Sequence, residues 1–595
     1  MATSPNLGAD GPVRLTLNCA GTDQEGLAII SVQVRRAFNA LPWARLEIAD
    51  GDMPEQSSPL SDGELFAPGT EIIIKAGYDE DELPLFTGIV VRHGFKISGS
   101  NDARLIVECR DKACKMTLGR NSAHYVDQTD SAVIETLIGN AGLQADVQAT
   151  TITHKELVQY YCSDWDFMLA RADALGLLVD VDAGKVSVKP PDTSAAASLS
   201  LDWGTDLIDF AADIDARSQW SSVQAASWDP AQQALSQGSA AAPPSLNAQG
   251  DLDGATLAAV ASPAAIKLQS CAPQPTAVLD AWAKAVQLKA GLARVQGHAS
   301  FQGSASAKPG CLIELKGVGK RFDGPLFVSA VEHEISDGNW VSMAEFGLAP
   351  QWQVERPDLL AAPAGGLLPG VGGLQTGVVL KLDGDPEGEN KIQVKLPSLQ
   401  TATEGIWARL LQFHASSGFG AFFLPEVGDE VVLGYFNDDP CHPVVLGSLY
   451  SSKRAPPYAL AAENNTKALV TRYKHKIELD EDKKTITITT PSANQLVLDD
   501  SGKSILIKDQ NGNSIKLSES GIALDSPKDI TLTAKGGITL DAVNAISLTS
   551  KADVKAAGLN ISCEAQVGFS AKGAASAELS ASGQTTVKGA MVMIN

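Results

Sequence analysis

The sequence predicts a mainly β protein: two related β-barrel domains with a few helices, a smaller five-stranded barrel, and a C-terminal β-helix of short stacked strands. Three observations carry this. Short apolar runs alternating with polar residues, and broken by Gly, Asp and Pro, fill residues 1–120. Two segments at a fixed offset of 241 residues share one motif without a gap. From Ile522 onward an apolar pair recurs every eight positions.

Bulk properties bound the rest. A chain of 595 residues holds about three or four domains, and 44% hydrophobic residues supply real cores. No apolar run approaches the roughly 18 residues of a membrane span, and the opening "MATSPNLGADGPVRL" lacks the basic and apolar regions of a secretory signal. Assembly in the cytoplasm is the expectation. The formal net charge of −23 argues against nucleic acid as a partner. Residues 464–595 carry 15 Lys/Arg against 14 Asp/Glu, so the acidity lies upstream. Eight scattered cysteines suit free thiols, and Cys109-x4-Cys114 has no matching His or Cys pair. No metal and no cofactor are expected.

In chain order, "VRLTLNCAG", "AIISVQVRRAF", "ARLEIADGD", "EIIIKAGY", "LFTGIVVRHGFKI" and "RLIVECRDK" are the strands of a first barrel, residues 1–120. A helical and mixed segment, 121–230, holds helices at 129–143 and 163–176, the second with Ser163 and Asp166 as a capping box. Trp165, Met168, Ala172 and Leu175 form its apolar stripe. Residues 231–275 are rich in Ala, Ser and Pro without periodicity and read as a surface loop. A long helix, with Leu279, Trp282, Val286, Ala290 and Ala293 on one face, opens the segment 276–358. That segment ends in a second barrel. "PGCLIELKGVGKRFDGPLFVSAV" (309–331) lies on "PGTEIIIKAGYDEDELPLFTGIV" (68–90), which predicts an internal duplication. Residues 359–375 are a linker by composition, and 376–458 form a small barrel with about five strands, the size of an OB-fold. Its first loop, Asp383-x-Asp385-x-Glu387-Gly388, looks like a calcium loop, but strands flank it and Val394 stands where the closing Glu belongs. Turn chemistry is the reading.

Residues 459–595 differ from everything before. Phe569 is the one aromatic after Tyr473. Ile522/Leu524, Ile530/Leu532, Ile538/Leu540, Ile546/Leu548 and Val554 mark the octads, which drift after residue 556 and resume at Ile561, Phe569, Ala577, Thr585 and Met593. Residues two apart share one face of a strand, and a three-residue strand buries little alone. Such strands must stack, either as one chain coiling on itself or as three chains intertwined, and the period does not separate the two.

"FFLPEVGDEVVLGYFNDDPCHPVVLGSLY" (422–450) closely resembles the needle-base barrel of the VgrG and phage baseplate hub-and-spike family. The pattern rests on Pro425, Val427, Gly428, Asp429, Glu430 and Val431, then Asp439, Pro440, Pro443, Val444, Val445, Leu446 and Gly447. "NALPWARLEIADGD", "LFTGIVVRHG" and residues 309–340 resemble the hub half of the same family. The resemblance implies a homotrimer whose C-terminal region is an intertwined triple-stranded β-helix. It implies a spike of a contractile injection system that joins a sixfold inner tube and baseplate components to a threefold needle, and punctures a membrane. If residues 475–592 were octads throughout, each climbing one strand spacing, that needle would be about 70 Å long. The resemblance further implies a PAAR-type cone protein at the tip, docked on Met591, Val592, Met593 and Ile594, and allows effector cargo. With no histidine after His475, an H-x-H metal apex is not expected. The rival readings are a trimeric phage tail fibre or adhesin and an effector enzyme. The sequence has no G-x-S-x-G, H-E-x-x-H or P-loop, so no catalytic residue is assigned.

Overall fold

The computed structural model describes residues 2–594 except 8, 10, 80, 100, 101, 261–264 and 400–404. It divides into two units, Met1–Leu449 and Tyr450–Asn595. In the first, alternation of aliphatic and polar residues builds one sheet of thirteen strands. These are β1 (Val13–Cys19), β2 (Thr22–Gln24), β3 (Ile29–Ala37), β4 (Trp43–Ala49), β5 (Glu71–Tyr78), β6 (Asp81–Ile97) and β7 (Ala103–Arg110). Then come β8 (Leu199–Asp202), β9 (Leu207–Ile214), β10 (Val295–Gln302), β11 (Leu312–Lys316), β12 (Gly324–Ser336) and β13 (Asn339–Phe346).

The pairing repeats itself. In the first half the neighbours run β5-β6-β7-β4-β3, and in the second β11-β12-β13-β10-β9, antiparallel throughout. The hairpins at offset 241 therefore occupy equivalent places. Gly69 and Gly310, both at left-handed φ, each donate a backbone N–H across their hairpin, to the carbonyls of Val90 and Val328. Register differs: Glu71 faces Ile89 while its counterpart Leu312 faces Phe327, a slip of three residues. The halves share a seam, β3 against β12. There Phe38 stacks on Phe327 at 5.8 Å, and Arg35 grips Glu345 through both oxygens at 2.5 and 3.0 Å. Each half keeps its own core, one around Leu46, Ile72, Ile74 and Val107, the other around Phe301, Ile313, Leu326 and Phe346.

His333 on β12 is buried at the seam, its Nδ1 2.8 Å from Ser342 Oγ and its ring 5.8 Å from Trp340. Burial, helped by the Arg36 cation, lowers its pKa to about 3. The folded chain thus refuses a proton that the unfolded chain accepts, so His333 removes stability as pH falls from about 6.5 towards 3. The hub should lose up to about 1.4 kcal/mol per pH unit from this one group in that window. His333→Phe should flatten the acid side of a thermal-unfolding pH profile. Parallel profiles for the two proteins would refute the assignment.

Between the halves, strands Asn121–Thr129 and Thr153–Cys162 pair as a ribbon, followed by helices Asp130–Asn140 and Asp164–Ala174. Ser163 Oγ accepts the Asp166 N–H at 3.1 Å and donates to Asp166 Oδ2 at 2.5 Å. Trp165, Met168 and Ala172 are buried, and Leu175 ends the helix half-buried. The long helix is Thr276–Leu292, with Leu279, Val286, Ala290 and Ala293 buried and Trp282 half-exposed.

The segment 231–275 is more ordered than its composition suggests. Ala234–Gln237 and Ala265–Ser270 flank Ser222–Asp229 as a three-stranded sheet over the long helix, and Gly254–Ala258 makes one helical turn. Ala and Ser carry no strong helix or strand pattern. Their short side chains nevertheless let the sheet approach the helix closely, with Val223 and Ala225 against Leu279 and Ala283.

The small barrel is closed by β14 (Gln375–Lys381), β15 (Ile392–Lys395), β16 (Ile406–Leu410), β17 (Glu430–Tyr435) and β18 (Pro443–Ser448), in the order β14-β15-β16-β18-β17. Val379, Val394, Ala408, Val431, Leu433 and Val445 fill it. In its first loop Asp385 accepts the backbone N–H groups of Glu387, Glu389 and Lys391 at 3.1, 2.7 and 3.1 Å, which is turn chemistry. Gly428, at φ 85°, and Asp429, which accepts the Glu426 N–H at 2.8 Å, turn the chain into β17. Asp439 likewise accepts the Cys441 N–H at 2.8 Å and meets His442 at 3.0 Å. The linker is tied at both ends. Arg120 binds the carbonyls of Asp358, Leu359 and Leu360, and the Val371 N–H reaches the Asp438 carbonyl at 2.8 Å.

Candidate functional site

The second unit is built of five-residue strands: β19 (Thr466–Val470), β20 (Lys476–Asp480), β21 (Thr485–Thr489), β22 (Gln495–Asp499), β23 (Ser504–Lys508), β24 (Ser514–Ser518) and β25 (Gly521–Asp525). Each pairs antiparallel with the next. This corrects the expectation of octads from about residue 475. Loops of four and five residues alternate along the meander up to Asn513, and each turn closes on a left-handed residue: Lys474, Lys484, Ala493, Lys503, Gly512 and Gly521. These left-handed turns reverse the chain, and the two-residue link 519–520 does so as well, so successive strands run antiparallel instead of winding onward.

The second and fourth residues of every strand are aligned by register. One column runs Leu469, Ile477, Ile488, Leu496, Ile507, Ile515, Leu524, each directly opposite the next. The other runs Leu479, Ile486, Leu498, Ile505, Leu517, Ile522, headed by Lys467. The alternate positions are mostly polar: Lys476, Glu478 and Asp480; Thr485, Thr487 and Thr489. One face is therefore an apolar ladder, and all of its aliphatic members except the half-buried Leu496 are exposed in the single chain. Most are already more than half covered, so completing the burial of each would be worth about 1 kcal/mol. The polar face is locally neutralised: Lys476 first, and Tyr458 second, hold the Glu478 carboxyl below its ordinary range.

One edge of this sheet is stitched at intervals of nineteen residues. Thr471, Thr490 and Asp509 accept the backbone N–H of His475, Asn494 and Asn513 at 3.1, 3.3 and 2.8 Å. Asn494 then accepts the Gln510 N–H at 3.0 Å, and Asn513 accepts the Ser526 hydroxyl at 2.6 Å, linking loop to loop. The Asn513 amide also holds Asp509 below the usual carboxylate range. Reading from Ile522 onward missed the upstream ladder. Its signal was this nineteen-residue spacing, which an eight-residue search passes over.

Beyond Asp525 the octads appear as geometry. The chain bends at 527–528, 535–536, 543–544, 551–552, 559, 566–567, 574–575, 582–583 and 590–591. The bends at 551 and 566 are fifteen apart, so a single seven-residue turn accounts for the drift after residue 556. Ile530, Ile538, Ile546 and Val554 each stand two residues past a bend, with Leu532, Leu540 and Leu548 two further on. Ile522 and Leu524 close the ladder opposite Leu517 and Ile515. The single chain does not bring the remaining expected core residues together. All are more than half exposed, as are Met591, Val592, Met593 and Ile594 at the last bend. Among the described residues after Asp525, no backbone–backbone hydrogen bond forms. In the single chain this stretch thus combines regular bends, backbone without backbone partners and exposed aliphatics.

No group of His, Cys, Asp and Glu among the described residues could hold a metal ion, and no helix is long and apolar enough to cross a membrane. The eight cysteines are free, with burial pushing the Cys109 thiol up to about 12.

Residues 9–337 match the family described as the Alg8 N-terminal domain. Residues 375–450 match the type VI secretion system/phage-baseplate injector OB domain, and 485–541 the phage baseplate V C-terminal trimerisation domain. The chain is similar to the type VI secretion system spike protein VgrG3 of Vibrio cholerae, 29% identical over 102 residues, 15% of this chain and 10% of that protein. It is similar to spike protein VgrG1b of Pseudomonas aeruginosa, 29% identical over 112 residues, 18% of this chain and 15% of that one. The matches thus span about a tenth to a seventh of these relatives' length. Among solved structures, the 43 kDa tail protein of prophage MuSo2 from Shewanella oneidensis aligns at 11% identity and TM-score 0.44, over 57% of this chain and 98% of that one.

Proposed function

We propose, for a chain that belongs to the Alg8 N-terminal domain family and is a VgrG-type hub-and-spike protein, that it works as the trimeric central spike of a contractile injection machine. The observation that carries this is the exposed apolar ladder of β19–β25 together with the bends that follow it. Three copies would bury three such faces against one another, and their octad strands would supply the backbone partners that one chain lacks. A prism closed in this way has no long open edge and shares its hydrogen bonds between chains. It would therefore transmit an axial push without peeling. The repeated strand order in the hub supports an adaptor role: two similar units in each of three chains present six positions to a sixfold inner tube. The work is mechanical, and no side chain is assigned to catalysis. Baseplate components at the hub, effector cargo, and injection towards a target cell belong to the same reading.

The apolar run Met591–Ile594 is assigned to docking a PAAR-type cone protein, because an exposed apolar run is a liability unless covered. One experiment tests both parts. Light scattering should give three times 62.2 kDa for the full chain and a similar trimer for a chain lacking 591–595. Only the full chain should retain the cone protein on co-purification. A well-behaved monomer would refute the spike reading; cone capture by the shortened trimer would refute the docking site alone.

A further inference from the structure

A cavity of about 260 Å³ lies in the first unit where helices Asp130–Asn140 and Asp164–Ala174 approach the long helix Thr276–Leu292. Its walls are mainly apolar, with Ile152, Leu175, Val278 and Trp282, and Ser270 and Gln274 add two polar side chains. Three charged or titratable side chains, Asp130, His154 and Arg171, meet at its lining. Asp130 has no exposed surface. Its Oδ1 accepts Arg171 Nε at 2.6 Å, and its Oδ2 lies 2.7 Å from His154 Nε2.

The hydrogen-bond arithmetic leaves donors over. A carboxylate only accepts, so His154 Nε2 carries the proton it gives to Asp130. That nitrogen then has no lone pair for Arg171 Nη2, which lies 3.4 Å away. Arg171 Nε is spent on Asp130. Among the described residues, neither terminal amino group of Arg171 has an oxygen acceptor, and the Arg171 side chain, 21% exposed, lines the cavity. Asp130 holds this fork in place without filling it.

We infer that this cavity binds an apolar group ending in a carboxylate, the carboxylate seated on the Arg171 fork and the apolar body against Trp282. The planar fork matches the two oxygens of a carboxylate, and the mainly apolar lining offers a surface for the body of the ligand. The same chemistry could arrive as a free acid or as the C-terminal residue of a peptide. Calorimetry on the full chain with 3-phenylpropionate, 3-phenylpropanamide and N-acetylglycyl-L-phenylalanine separates these. The free acid should bind at least about tenfold more tightly than its amide, since the amide cannot accept with both atoms. Binding of the dipeptide as well assigns the site to peptide C-termini, and binding of the free acid alone assigns it to small acids. Ala281→Trp, which fills the cavity from the long helix and leaves the residues Asp130, His154 and Arg171 unchanged, should weaken the acid by at least about tenfold. Equal affinity for acid and amide, no detectable binding of either acid at about 10 mM, or unchanged binding by Ala281→Trp would each overturn the inference.

Discussion

Ile538→Asp should abolish trimer assembly, whereas Thr539→Asp should leave it nearly intact. Ile538 stands two residues past the bend at 535–536 and shares its face with Leu540, while Thr539 between them points the other way. On the threefold reading the three Ile538 side chains converge, so the substitution would place three like charges in a narrow dry core. Each buried, unpaired carboxylate costs several kcal/mol, and the total should cut the yield of trimer by at least about a hundredfold. Ile488→Asp, in the column between Ile477 and Leu496, should do the same, and Thr487→Asp on the polar face should not. Light scattering of the four variants decides the register. Equal trimer yields within either pair would mean that the inward and outward faces have been exchanged.

Asp130→Ala should destabilise the first unit by about 3 kcal/mol or more. It removes the one carboxylate, fully buried, that Arg171 and His154 share at 2.6 and 2.7 Å, and leaves a guanidinium without its counter-ion. Asp130 is also the first residue of its helix, where a negative charge is favourable. Asp130→Asn, which keeps the shape and one acceptor, should recover about half of the loss. Chemical unfolding of the three proteins provides the measurement. If Asp130→Ala unfolds at the wild-type denaturant concentration, the cluster carries no net stability.

Much of the architecture is written in short-range spacing. The octads from Ile522 to Val554 are legible because a three-residue strand and its bend repeat within eight covalently linked residues, and each bend is set by its own neighbours. The same holds for the barrel motif, where Gly428 needs its left-handed φ and Asp429 and Asp439 cap turns two or three residues away. The hairpins at offset 241 keep Pro-Gly and Pro-Leu-Phe in place because both build the same strand turn, although the slip of three residues in register was beyond reading.

What required the folded molecule is the choice of distant partners. The seam of β3 on β12 sets Arg35 opposite Glu332, some three hundred positions away, and neither strand advertises the other. Asp130, His154 and Arg171 come from a helix, a strand and a second helix, and no spacing among them marks a cluster. Residues 466–525 carry the same alternation of aliphatic and polar residues as the octads, which is why they read as more of them. Turn conformation separates the two designs: every reversal up to Gly521, the two-residue link 519–520 included, closes on a left-handed residue, whereas among the described residues after Asp525 no bend has one. Alternation specifies which face is apolar, since that depends only on the twofold pleat of a strand. Which strand lies alongside is a contest among all edges the chain, or its copies, can offer, and only tertiary structure resolves it.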